Sequence, residues 1–412
     1  MEEEENFMGK VDLRLATDLG NSEVALMESG ELTLQPSTVV KVSKNPFYED
    51  LVIADAVKDI YQQLVVSITS PALQAPALYL IGDYATESSG YYTNTVLGAT
   101  KKHTSDVPVV MALGMIAAKA VQKAYEKDPN LNEEIRATVD MATGLPVREY
   151  DKESALKFAQ RFMKGNHIVK VLLGTEKQVT VDIDFDFVQV FPEAVPVAFS
   201  LVYNSDNKFR KGEIFKEFQE AYGYNPFNGE YFADKRILHI DVGDGTTEFP
   251  ITDGFKPNQK LAQGTNNGIG HAAENILDEY ANRIFVTSVQ RQDISKVLKQ
   301  KTHKYHAVAM ELIQVELEKQ AQEIMRKARQ QLDTVQNNID IIVVYGGGSI
   351  LLKPHLYDLL KELCEQRQIQ LFYVPETSAS TLYVEGLHNT LINGVYNSFK
   401  ERAKEQEKAA LQ

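Results

Sequence analysis

Apolar and polar residues follow two rhythms along this chain, and the order of the rhythms repeats. An apolar, β-branched run over 11–17 predicts a strand, Asp18-Leu19-Gly20-Asn21-Ser22 breaks it, and residues 23–27 predict a returning strand. Residues 39–42 and 51–54 read as further strands of the same sheet, and Leu78-Tyr79-Leu80-Ile81-Gly82-Asp83 as a strand and turn. Asp106 and Pro108 open a helix through about Ala124, in which Ala112, Gly114, Ala117 and Ala118 permit close packing. A strand over 137–147 ends in Thr143-Gly144-Leu145-Pro146-Val147, followed by a charged amphipathic helix over 151–164 and strands over 167–173 and 178–190. Pro192-Glu193-Ala194-Val195-Pro196 leads into an apolar helix ending near Val202; Pro196 is tolerated because the first N–H groups of a helix lack partners.

The stretch 203–235 reads as loop or short helices, and then the opening pattern returns. Ile237-Leu238-His239-Ile240-Asp241 predicts a strand ending in an acid, Val242-Gly243-Asp244-Gly245-Thr246 a turn, and Thr247-Glu248-Phe249 a returning strand. Gly268 and Gly270 open a helix over about 271–281. Ala309, Leu312, Ile313, Leu317, Gln320, Ile324 and Ala328 lie near helical spacing in a long helix over 303–335; no heptad is sustained, so it packs on a sheet rather than forming a coiled coil. An apolar strand over 339–345 runs into Gly346-Gly347-Gly348-Ser349 and a helix, the pattern of a central parallel strand covered on both faces. A strand over 369–374, a connecting helix from Glu385 to about Phe399 and a charged, solvated tail over 400–412 complete the chain. Each half thus gives an Asp-Gly hairpin, helices, a strand ending in glycine, and a helix after a glutamate. This repetition predicts two α/β domains facing each other across a cleft, with ligand at the carboxyl ends of the strands.

Composition agrees with two such cores: 412 residues, of which 43% are hydrophobic. No run of eighteen apolar residues is present, so no membrane span is expected, and the acidic start Met1-Glu2-Glu3-Glu4-Glu5 is unlike a basic signal-peptide start. The single cysteine, Cys364, lies among Leu359, Leu360 and Leu363 and reads as an inert helix position in a reducing cytoplasm. A net charge of −14 disfavours direct, non-specific nucleic-acid binding.

The Asp-Gly turns carry the candidate chemistry. A glycine turn aims several backbone N–H groups into one concavity, suited to phosphate oxygens, and Gly243 and Gly245 allow close backbone approach. The acid at the strand end stands where a hydrated divalent cation bridges protein and phosphates. A strand rather than a helix follows, with no Gly-Lys-Ser/Thr, so this is not a Walker-type loop. Alone, such a stretch reads first as a glycine-turn hairpin, and it gains weight as a phosphate site because the chain contains it twice. No cluster has zinc spacing and no Ser/His/Asp grouping suggests hydrolase chemistry.

In this order the motifs resemble the actin, DnaK-chaperone and sugar-kinase ATPase superfamily over nearly the whole chain. Within it, Thr143-Gly144-Leu145-Pro146-Val147 and Phe191-Pro192-Glu193-Ala194-Val195-Pro196 resemble ParM-type bacterial actins that segregate plasmids. The resemblance implies an actin-like duplicated, ribonuclease-H-like α/β fold with a central nucleotide cleft. Residues 1–192 plus 385–412 would form domain I and residues 193–384 domain II, with the helices after Glu193 and Glu385 as crossing connectors. It also implies that Gly20, Asn21 and Ser22 with Asp18, and Gly243, Asp244, Gly245 and Thr246 with Asp241, form the two phosphate motifs. Gly346, Gly347, Gly348 and Ser349 correspond to the adenosine motif. Asp18 and Asp241 would hold hydrated Mg²⁺, and Glu193 would orient or deprotonate the attacking water. Gly268 brings a helix N-terminus to the nucleotide and Glu274 is a candidate ribose contact; His271 reads as a cap or solvent-facing residue. Asn21 departs from the Ser or Thr common at its position.

The expected activity is ATP hydrolysis (GTP being the alternative nucleotide) coupled to self-assembly into filaments. The expected partner is a ParR-like DNA-binding adaptor on centromeric plasmid DNA, because a filament this acidic engages DNA indirectly. A non-polymerising small-molecule kinase of the same fold would need an acceptor pocket and base, and none is evident. A DnaK-type chaperone would need a further substrate-binding domain, and a membrane-bound cell-shape scaffold a hydrophobic or basic amphipathic anchor. Segments 45–100 and 203–235 match no motif.

Overall fold

A computed structural model describes residues 9–88, 93–94 and 101–410. The acidic start, residues 2–5, and much of the unmatched segment 89–100 lie outside the described residues.

Three long strands, Gly9–Leu19, Glu134–Leu145 and Gln178–Pro192, run parallel at the centre of a first, ten-stranded sheet. Along them buried apolar residues alternate with polar ones, so that Val11, Leu13 and Leu15, Ile135, Ala137 and Val139, and Val179, Val181 and Ile183 enter the core, and burial becomes continuous only toward their carboxyl ends. Antiparallel hairpin strands Glu23–Glu28 and Glu31–Pro36 flank one side. His167–Leu172, Val65–Thr69, Ala77–Ile81, Thr38–Val42 and Thr93–Asn94 extend the other side. The second sheet repeats the motif on a smaller scale: Arg236–Val242, Ile341–Tyr345 and Gln370–Tyr373 are parallel. Thr247–Phe249 and Ile251–Asp253 return antiparallel beside the first of these. The fold is a mixed α/β, two-sheet actin-like architecture, as the repeated pattern implied.

Each sheet has its own apolar core. Helices Val107–Lys127 and Lys152–Met163 close the first, and His306–Thr334 and Gly347–Arg367 the second. Val107–Lys127 is long and apolar enough to cross a membrane, but 89% of its apolar window is buried against the first sheet, which marks it as a core helix. A third core joins the sheets through two crossing helices, Ala194–Val202 and Leu382–Ile392. At their crossing Gly386 lies against the Pro196 carbonyl, where a Cβ would come within 1.9 Å of the oxygen.

Four local expectations are corrected. Residues 51–54 do not form a strand; Ile53–Lys58 is a helix, with Ala56 and Val57 turned inward. The helix expected over 271–281 is two, Ile269–Glu274 and Leu277–Arg283. A helix absent from the sequence reading, Arg291–Lys299, is fixed by a capping box between Gln290 and Asp293. Finally, the connector breaks at Gly394 (φ 85°), and the following helix, Val395–Ala410, is not simply solvated. Its Lys400 contacts Asp140 at 2.5 Å and also pairs with Asp186, while Tyr396 Oη donates to the Phe187 carbonyl at 2.6 Å.

Candidate functional site

The carboxyl ends of the parallel strands from both sheets open into one cleft of about 880 Å³. Asp18 and the turn Gly20-Asn21-Ser22 line it from the first sheet; Asp241, Gly243, Asp244, Gly245 and Thr246 line it from the second. Glu193, the residue after the Gln178–Pro192 strand, enters where the first crossing helix begins, its N–H bound to the Leu145 carbonyl at 3.0 Å. Gly346, Gly347 and Gly348 form the floor. The sequence therefore brought together residues up to 330 positions apart in the chain, from Asp18 to Gly348.

Two glycines show why the turns are glycine turns. A Cβ on Gly20 would lie 2.6 Å from the Glu23 carbonyl oxygen, inside the turn. Gly346 has φ 88°, and a Cβ there would meet the Val242 carbonyl at 2.5 Å and Asp241 Oδ1 at 2.6 Å, so its missing side chain is what lets the Asp241 carboxylate sit over the floor. The second turn is stitched to the helix behind it: Ile269 N–H donates to the Gly243 carbonyl (3.1 Å) and Gly270 N–H to the Asp244 carbonyl (2.7 Å).

Three expected contacts are placed differently. Ser349 is fully buried and donates its hydroxyl to the Gly346 carbonyl at 2.8 Å, so it fastens the floor from behind instead of facing the cleft. Gly268 does not line the cleft; it packs against the Asp244 backbone, where a Cβ would be 2.1 Å from the carbonyl oxygen. Glu274 also lies off the cleft, 3.3 Å from His271 and 3.8 Å from Arg291 Nε. Asp244 lines the cleft, with its carboxylate paired to the buried Arg291 guanidinium.

Among the charged residues of the cleft wall that the sequence reading missed are Lys102, Arg148 and Glu248. Lys102 Nζ donates to Glu193 Oε1 at 2.9 Å and lies 4.0 Å from Asp18 Oδ1. Glu248, one strand position beyond Thr247, is ion-paired with Arg148, whose Nε lies 3.1 Å from its Oε1, and Arg148 itself follows the Gly144-Leu145-Pro146-Val147 turn. Arg148 and Glu248 each abut a quoted motif, which was the available signal; Lys102 abuts none.

Carboxylates outnumber the cations here, and the electrostatics record it. Burial pushes Asp18 up to about 7, with Lys102 opposing and Glu193 adding to the rise. Burial, then the charges of Glu193, Asp18 and Glu248, hold Asp241 well above the usual carboxylate range. Burial pushes Glu248 up to about 8 against the pull of Arg148. Lys102 is raised although burial disfavours its ammonium, because Glu193 and Asp18 stabilise it. Such an excess of converging negative charge suits a divalent cation. Among the described residues no three His, Cys, Asp or Glu side chains group closely enough to hold a metal by themselves.

Comparison with known proteins agrees with this architecture. Residues 16–195 match the family of actin-like protein N-terminal domains, and residues 239–358 the C-terminal domain of archaeal MreB-like actin homologues. The actin-like protein Alp7A superposes with a TM-score of 0.67 at 18% identity, covering 97% of this chain and 100% of that one. Bacillus thuringiensis ParM with ATP gives 0.59 at 17% identity, covering 94% and 99%. The archaeal actin homologue Ta0583 gives 0.58 at 12% identity, covering 92% and 98%. No curated protein sequence matches the chain. With actin-like family models matching residues 16–195 and 239–358, the chain belongs to the actin-like proteins.

Proposed function

We propose that the protein is an ATP-hydrolysing, filament-forming actin of the ParM type that segregates plasmid DNA through a DNA-binding adaptor. The observation that carries this reading is the convergence of both Asp-Gly turns and Glu193 on one cleft. Structures of Bacillus thuringiensis ParM with ATP, ADP and AMPPNP support the choice of nucleotide. In this reading the backbone N–H groups of Gly20–Ser22 and Gly243–Thr246 bind the phosphates, and Gly346–Gly348 receive the nucleoside. Asp18 and Asp241 would hold hydrated Mg²⁺, which when bound neutralises the phosphates and the developing charge. Glu193 orients the attacking water and takes its proton. Domain I comprises 1–192 plus 385–412 and domain II 193–384, hinged on the two crossing helices.

The charge of −14 directs DNA engagement through a basic, ParR-like adaptor in the cytoplasm. Sedimentation with Mg-ATP, Mg-GTP, Mg-ADP or no nucleotide, with phosphate followed in the same tubes, tests the reading. Triphosphate-dependent pelleting with slow phosphate release is expected. A protein that stays in the supernatant under every condition while phosphorylating a metabolite would replace it with the small-molecule kinase.

A further inference from the structure

Lys102 is a buried ammonium, its side chain 10% exposed, with Glu193 and Asp18 as the acids beside it. It is delivered by a short turn, Lys102–Thr104, ahead of the core helix Val107–Lys127. Its own N–H donates to Glu149 Oε2 at 3.1 Å, which fixes the start of that turn against the loop after the Glu134–Leu145 strand. The other cations on the cleft wall with ion pairs are held elsewhere: Arg148 by Glu248, Lys299 by Glu23 and Lys301 by Glu376. Lys102 alone among these reaches both the carboxylate assigned to the cation and the carboxylate assigned to the water.

We propose that Lys102 is a catalytic residue that binds the terminal phosphate of the nucleotide and, through its hydrogen bond to Glu193 Oε1, holds Glu193 oriented on the attacking water. The inference rests on the nucleotide reading above. A buried ammonium keeps its charge only while paired. When Asp18 turns to a hydrated cation, Lys102 retains Glu193 and meets the non-bridging oxygens of the terminal phosphate as its second anion. In hydrolysis the water oxygen bonds to the terminal phosphorus while the bond to the bridging oxygen breaks. The water proton passes to Glu193, and the diphosphate leaves with the electron pair of the broken bond. The charge on the transferred group faces the Lys102 ammonium throughout, which is the electrostatic contribution a fixed donor makes in a water-poor site. A diphosphate lacks this contact, so Lys102 also distinguishes the two nucleotide states.

The test compares the parent with Lys102→Met, Lys102→Gln and Lys102→Arg in the full chain, by titrating ADP and a non-hydrolysable ATP analogue and by following phosphate release. Lys102→Gln keeps a donor for Glu193 and serves if Lys102→Met does not fold. Affinity for ADP is expected to stay within about threefold, while affinity for the analogue falls roughly 10–100-fold. Phosphate release is expected to fall about 10²-fold or more, with partial rescue by Lys102→Arg. Neutral variants that keep the parent's preference for the analogue, or its rate of phosphate release, overturn the proposal and leave the nucleotide reading standing. A parent that binds neither nucleotide overturns both.

Discussion

Raising the pH of the nucleotide-free protein from 6.5 to 8 is expected to weaken its fold, because the buried acids Glu248 and Asp241 are both held above the usual carboxylate range. Burial pushes the Glu248 carboxyl from 4.5 up to about 8 in the fold. An acid whose folded value is raised binds its proton more tightly in the native state, so stability declines as pH rises between the unfolded and folded values. Across this window Glu248 passes through about one and a half units of that range, on the order of 2 kcal/mol. Asp18, pushed to about 7 and 28% exposed, adds less than about 1 kcal/mol.

Below pH 6.5 the slope is opposed by histidines. Burial holds His239 down to about 3 and lowers His167 and His388, so the unfolded chain takes up protons that the fold refuses. Carboxylates held low by ion pairs, such as Asp186 beside Lys400 and Glu323 beside Arg326, act only at more acid pH. Urea unfolding at pH 6.5, 7.25 and 8 should therefore show a loss of stability in the parent that is smaller by about 2 kcal/mol in Glu248→Gln, Asp241 continuing to contribute in both. Gln retains an acceptor for Arg148 without the titration. A parent whose stability is level or rises across the window, or a Glu248→Gln protein with the same decline, refutes the assignment.

Glu193→Gln is expected to bind ATP and pellet as the parent does while releasing phosphate about 10²-fold more slowly or worse, measured by single-turnover phosphate release. Release at the parental rate removes Glu193 from the chemistry. Gly346→Ala places a Cβ against the Val242 carbonyl and Asp241 at a φ of 88°; a loss of about 2–4 kcal/mol in urea unfolding is expected, with weakened nucleotide affinity. Lys400→Met removes the ammonium between Asp140 and Asp186, so the Val395–Ala410 helix should become more protease-sensitive, with a stability loss of about 1–3 kcal/mol.

What was legible in the sequence is what a backbone dictates locally. The first sheet's parallel strands show as alternation and the second sheet's as apolar runs, and the phosphate-type turns show because close backbone approach demands glycine at fixed offsets. The position of Asp18 and Asp241 at one cleft followed from the repeat, since equivalent turns fall at equivalent strand ends, and that of Glu193 from the resemblance of its Pro-Glu-x-x-Pro motif. Side-chain direction was not legible: nothing in Gly346-Gly347-Gly348-Ser349 says that the serine hydroxyl turns back to the Gly346 carbonyl. Lys102 was hidden because only tertiary folding brings it to Glu193, 91 positions away. Two omissions had visible signals. Ile53, Ala56, Val57 and Ile60 stand at helical spacing, which a four-residue window over 51–54 cut short. Ile294, Val297 and Leu298 mark the Arg291–Lys299 helix by the same spacing amid polar residues.

That overlooked helix has a bearing on how the two halves are held. Its first residue, Arg291, pairs with Asp244 in the second turn, and the next, Gln292, accepts from the Ser22 hydroxyl of the first turn at 3.4 Å. Further along, Lys296 meets Glu87 at 3.3 Å and Lys299 meets Glu23 at 2.9 Å, both on segments that accompany the first sheet. One helix thus touches both phosphate-type turns and the wall opposite. The contacts are unequal in strength. Arg291 and Asp244 are buried, so their pair resists separation, whereas the Lys296 and Lys299 pairs are solvent-exposed and contribute about 0–1 kcal/mol each. The crossing helices at the opposite end are packed through a buried apolar core with Gly386 against Pro196. The two halves are thus joined at the Arg291–Lys299 side by exposed ion pairs and at the opposite end by a buried apolar core.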